Sequence, residues 1–189
     1  MPAAEVWLNV NGVGMNTQAG LVTVAEFLRL PDPKEGHYEL RHGEVVLVPP
    51  PKLKHEDIQD RIQVILKSLT AGRGRARMEM AFRPSPEFEF WRADVGYFSL
   101  ERTVVDDDGY LAGAPDLVVE VLSPSNTALE MNDRMRICLD HGCRSFWVVD
   151  PVAQTVSVTE GDITRHYTAD SVFHCDVLNA TVSVREFFQ

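Results

Sequence analysis

The sequence is poor in cysteine, in positive charge and in long apolar runs, and each shortage closes off a class of protein. There are three cysteines, Cys138, Cys143 and Cys175, an odd number with no CxxC spacing. A disulfide framework or a zinc knuckle is therefore not expected, and a reducing cytoplasm is the default compartment. No apolar stretch approaches the ~18 residues of a membrane span. The N-terminus also lacks a charged segment followed by a long apolar one, so neither a membrane anchor nor a secretion signal is expected. No repeat or low-complexity segment is visible.

Lys and Arg number 18 against 28 Asp and Glu, a formal charge of −10. Proteins that clamp phosphates without regard to sequence usually carry a basic surplus, so tight nonspecific nucleic-acid binding is disfavoured. The one basic cluster, Arg73, Arg75 and Arg77, could touch a phosphate backbone, although a solvated turn entering a strand is the commoner reading. Asp106, Asp107 and Asp108 read as a solvated loop.

What is present is a globular chain of 189 residues, 44% apolar, long enough to bury a substantial core. Residues 1–20 show no clear periodicity and read as a tail, leaving a single domain over 21–189. Thr23 and Glu26 form a capping box for a short helix, with Val22 and Phe27 as a staple and Pro31 as its stop. Two short strands follow around Arg41-His42-Gly43. Ile58, Ile62, Ile65, Leu66 and Leu69 then fall on one face of a long helix that Gly72 terminates.

Strands are expected at 75–83, 94–98 and 116–122, separated by a Pro-rich segment (84–91) and an acidic loop (101–113). A second helix runs from Asn126 to Gly142, and FWVVD (146–150) is a buried strand. Short strands are expected near 155–159, 163–168 and 181–184. The order helix, three strands, helix, strand describes a meander extended by a crossover helix. Its fold class is α/β, a mixed sheet flanked by helices.

The stretch APDLVVEVLSPS (114–125) raises a chemical question. Alternation puts Asp116, Val118, Glu120 and Leu122 on one face and Leu117, Val119 and Val121 on the other. Both faces look buried, yet two carboxylates lie in the strand. A buried acid persists when an Arg, a Lys or a metal meets it. In an antiparallel meander, Asp94 at the start of the preceding strand should approach Glu120. Asp116 stands four residues back, on the order of 13 Å away at ~3.3 Å per residue, too far to share one ion with Glu120. Asp94 and Glu120 are the expected pair, with Asp116 supporting or structural. Two carboxylates, with water filling the remaining positions, suit Mg2+ or Mn2+ and not zinc.

Together the segments YELRHGEVV, PPPKLKHEDI, RADV, APDLVVEVLSPSN and DRMRICLDHGCRSFWVVDP resemble the Uma-two family of restriction-endonuclease-like proteins, in the PD-(D/E)XK nuclease superfamily. The similarity runs from about Thr23 to the C-terminus. It implies a restriction-endonuclease-like core and a divalent metal at the strand carboxylates. Asp94 matches the first-motif acid, with Ala93 where proline is usual, and Glu120 matches the second. The superfamily lysine would stand at Leu122. In this family it moves to the following helix, where this chain has Arg134. The aromatic one turn later is Cys138. Arginine can supply charge but cannot act as a base. Its alternative is a surface salt bridge to Glu130, one turn away. His55 also matches a position that the family often fills with histidine, and Glu39 could face the same cleft; both are possible supporting residues.

Three functions are open. The first is a Mg2+- or Mn2+-dependent endonuclease acting on DNA, expected as a cytoplasmic homodimer, with Asp94 and Glu120 as metal ligands and Arg134 stabilising developing charge. The second is a nuclease-like fold that no longer cleaves and serves as a binding or assembly module. The third is a metal-dependent hydrolase of a small phosphorylated substrate, for which an acidic protein needs no basic groove.

Overall fold

A computed structural model describes residues 6–10, 13–17, 20–70, 72–102, 104–124 and 126–189. The chain opens with a hairpin of β1 (Val6–Val10) and β2 (Val13–Thr17), where sequence periodicity predicts no regular element. Helix α1 (Val24–Phe27) carries the expected Thr23–Glu26 capping box. Strands β3 (His37–Arg41) and β4 (Glu44–Val48) form a second hairpin, turned by His42 and Gly43, both at positive φ. Helix α2 (Leu53–Thr70) follows, with Gly72 in the left-handed region just beyond its end.

The central sheet begins with β5 (Gly74–Arg83) and β6 (Trp91–Ser99). It continues through the short β7 (Leu111–Ala112) and β8 (Leu117–Val121). Helix α3 (Ala128–Asp140) starts at a second capping box, Thr127 with Glu130, and crosses over to β9 (Ser145–Asp150). Strands β10 (Thr155–Glu160) and β11 (Ile163–Thr168) extend the sheet. A small hairpin of β12 (Val172–Cys175) and β13 (Ala180–Ser183) follows, and a 3-10 turn (Val184–Phe187) comes after it.

Seven strands lie in the order β11-β10-β9-β8-β6-β5-β7. β5, β6 and β8 form the antiparallel meander, and β8 pairs in parallel with β9 after the α3 crossover. The sheet is therefore mixed and flanked by helices, as the element order implies. Every residue of β8 is buried. Leu117, Val119 and Val121 pack with Ile58, Ile62 and Leu66 of α2, whereas Val118 packs with Cys138 of α3 and with Phe146. At ~1.5–3 kcal/mol for each large apolar side chain, this two-sided burial fixes the strand firmly.

One irregularity interrupts the β5–β6 ladder. Met78 pairs with Val95 and Met80 with Ala93, but the facing residues between them, Glu79 and Asp94, do not pair. Glu79 has φ +48°. On one side of this break Met78 and Val95 join the α2 core; on the other, Met80 and Ala93 join the α3 core. Among the described residues, no helix is long and apolar enough to cross a membrane.

Candidate active site

The site lies where β6 and β8 part. Their ladder runs through Tyr97↔Leu117, Gly96↔Val118 and Val95↔Val119 and then ends. The next position on β6 is Asp94, whose Oδ2 accepts the Val121 amide at 2.6 Å and so caps the fork. Its Oδ1 accepts Gln59 Nε2 at 2.8 Å, and His55 Nε2 lies 3.2 Å away. His55 and Gln59 are one turn apart on α2, so a single helix face supplies both.

Glu120 enters the fork from β8, on the face opposite Val119 and Val121. Arg134 on α3 donates Nε to Glu120 Oε1 at 2.9 Å. The same guanidinium donates to both oxygens of Glu39 on β3, at 3.0 and 3.1 Å, and to the main-chain oxygen of Arg92. Its plane lies over the Trp91 ring, 5.0 Å from the centroid. Four of the five N–H donors of a guanidinium are thereby used, and the bidentate contact to Glu39 fixes its orientation. The alternative pairing of Arg134 with Glu130 does not form; Glu130 closes the Thr127 capping box instead.

The two acids that share Arg134 are held in different states. Burial alone would raise both. Glu39 nevertheless sits well below the usual carboxylate range, because Arg134, His37 and Arg41 surround it. Arg41 approaches within 2.7 Å and the Arg92 amide within 2.8 Å. For Glu120, burial dominates. Arg134 opposes it, but Asp94 and Glu39 add negative charge, and the carboxyl is pushed up to about 8. Arg134 remains a cation: its burial is outweighed by Glu120 and Glu39.

Of the residues singled out from the sequence, Asp94, Glu120, Arg134, Glu39 and His55 converge here. Asp116 does not. It lies just before β8, where its Oδ2 accepts the Ser99 amide at 2.7 Å and its Oδ1 pairs with Arg102. Cys138 fills core space below Arg134; burial pushes its thiol well up, so it behaves as an inert apolar side chain. Two further residues at the site, Gln59 and Glu79, are joined by a 2.9 Å hydrogen bond from Gln59 Nε2 to Glu79 Oε1. A polar residue embedded in the apolar face Ile58–Ile62 was a readable signal for Gln59. Nothing in the sequence marks the ladder break that turns Glu79 inward.

Asp94 and Glu120 are the acids that could hold a metal. Among the described residues, no three His, Cys, Asp or Glu side chains are grouped for that purpose. Two carboxylates with water completing the shell fit an oxygen-preferring divalent cation, and Arg134 is hydrogen-bonded to Glu120 through Oε1.

The family model of Uma2, described as "Putative restriction endonuclease", matches residues 24–189. Among solved structures, the chain is similar to a protein from Anabaena variabilis described as a "putative nuclease", at 25% identity and a TM-score of 0.75. The similarity covers 88% of this chain and 97% of that one. A search of curated proteins gave no match. With a family match that spans nearly the whole chain and a fold shared with that solved structure, this protein belongs to the Uma2 family of restriction-endonuclease-like proteins.

Proposed function

We propose that this protein is a metal-dependent endonuclease that hydrolyses phosphodiester bonds in DNA, using Mg2+ or Mn2+ held by Asp94 and Glu120. The observation that carries this reading is the charge at the fork. Among the described residues, three carboxylates, Asp94, Glu120 and Glu39, gather around two guanidinium groups, those of Arg134 and Arg41, with the His55 imidazole beside Asp94. A bound divalent ion would lower the pKa of a coordinated water and polarise the phosphoryl group. The chain's own part is to position these groups. The Val121 amide, Gln59 and His55 hold Asp94 in place, and Arg134 holds Glu120 while keeping a permanent positive charge beside the site. Two strands must be cut in a duplex, which favours a twofold dimer. The free, buried cysteines suit a reducing cytoplasm.

One observation favours a second reading, a nuclease fold that binds without cutting. Arg134 spends four of its donors on the protein, so it has little left with which to grip a phosphate. Plasmid nicking separates the two. The nuclease reading expects nicking by the wild type in Mg2+ or Mn2+ that disappears in Glu120→Gln. DNA retention with no nicking under either metal would favour the binding module.

A further inference from the structure

We infer that Arg92 is the residue that grips a phosphate of the DNA strand at the Asp94–Glu120 pair. The inference rests on the nuclease reading above. It adds the substrate contact that Arg134, with four donors already used, leaves open.

The backbone places Arg92 inside the site. Its amide donates to Glu39 Oε1 at 2.8 Å, its carbonyl accepts Arg134, and on the other edge of β6 it pairs with Ala81. Trp91 and Ala93, on either side of it, turn into the α3 core. Strand alternation therefore sends the Arg92 side chain to the opposite face, the one on which Asp94 meets Gln59 and His55 of α2. Arg92 stands two residues before Asp94, roughly 7 Å along the strand at ~3.3 Å per residue, a spacing that lets one phosphodiester lie against both.

The side chain itself is uncommitted. Each of the other basic groups at the fork has an acid: Arg134 has Glu39 and Glu120, Arg41 has Glu39, and His55 has Asp94. Arg92 forms no ion pair and no side-chain hydrogen bond among the described residues. It is partly buried, and its Nε is shut off from both solvent and protein acceptors. A buried donor without a partner carries an uncompensated desolvation cost, so this resting pose is one from which an anion can draw the side chain. A guanidinium presents paired N–H donors in one plane, which suits two oxygens of a phosphodiester. An unpaired cation beside three carboxylates also offsets their repulsion of a DNA strand, in a chain whose net charge is −10.

The test is a titration of the full chain into a short fluorescent DNA duplex, read by anisotropy at several salt concentrations, alongside Mn2+ calorimetry and plasmid nicking. The proteins are the wild type, Arg92→Gln and Arg92→Lys. Arg92→Gln should weaken duplex binding about tenfold or more and lower the slope of log affinity against log salt by about one. It should leave Mn2+ affinity and the unfolding midpoint at wild-type levels, because the side chain it removes has no protein partner among the described residues. Nicking should show a raised KM with kcat less affected. Arg92→Lys should restore the salt slope but only part of the affinity, since an ammonium lacks the planar fork. Unchanged duplex binding and salt slope in Arg92→Gln would overturn the assignment, while nicking by the wild type kept the nuclease reading. Loss of Mn2+ affinity or of folding in Arg92→Gln would show a structural role and overturn it equally. The expected losses with no nicking by the wild type would sustain the phosphate contact and sink the nuclease. No duplex binding by the wild type would overturn both.

Discussion

Asp116, just before β8, and Glu120, near its end, are both buried, yet their surroundings treat them differently. Asp116 is matched one for one: Arg102 supplies the countercharge and the Ser99 amide a further donor. Burial pushes the Glu120 carboxyl up to about 8: Arg134, which Glu120 shares with Glu39, offsets this only in part, and Asp94 and Glu39 add negative charge. An acid with its own partner is a structural device. An acid left short of positive charge beside another acid can accept a cation. Two acids four residues apart thus differ in their neighbours: one has a countercharge of its own, the other shares one.

Substitutions at the two ends should separate these roles. Arg134→Ala is expected to have the largest effect, a loss of about 3–5 kcal/mol in denaturant unfolding, because it strands two buried acids at once. Arg102→Ala should cost less, on the order of 1–3 kcal/mol, since Arg102 is half exposed and only one acid loses its partner. Thr127→Ala, which removes the α3 cap, should cost about 1 kcal/mol and leave both ends of β8 intact. If Arg102→Ala proved as damaging as Arg134→Ala, the contrast between the two ends would fail.

The smallest effect concerns His42, in the turn of the hairpin that carries Glu39. His42 lies 2.7 Å from Asp133 on α3 and 3.0 Å from Glu89. The Asp133 hydrogen bond, working against partial burial, raises its pKa above the ordinary 6.5. A raised folded pKa means that this stabilisation is complete below about pH 6.5 and fades as pH rises through the folded value. The contact is exposed, so it should amount to well under ~1 kcal/mol. His42→Gln should flatten the corresponding slope in unfolding free energy between about pH 6 and 8. An unchanged slope would show that the latch contributes nothing.

The approach of Asp94 to Glu120 was legible because it follows from local rules. Alternation placed the acids, and an antiparallel meander brought the start of one strand beside the end of the next. The Thr23–Glu26 box, the α2 face and the Gly72 stop were legible for the same reason. The state of Arg134 was not, because its main partner, Glu39, lies on a separate hairpin far away in sequence, and two-residue spacing carries no trace of that docking. Glu79 was hidden for a different reason: its inward turn depends on one backbone angle that its residue type does not announce. The hairpin of β1 and β2 escaped because its short, Asn- and Gly-containing segments lack a firm alternation.

The central claim is that Asp94 and Glu120 hold a divalent cation and Asp116 does not. Calorimetric titration of Mn2+ into the wild type, Asp94→Asn, Glu120→Gln and Asp116→Asn tests it most directly. Binding should weaken at least about tenfold in Asp94→Asn and Glu120→Gln and stay at the wild-type level in Asp116→Asn, even though that variant is less stable. Equal binding by all four proteins, or none by the wild type, would contradict the account.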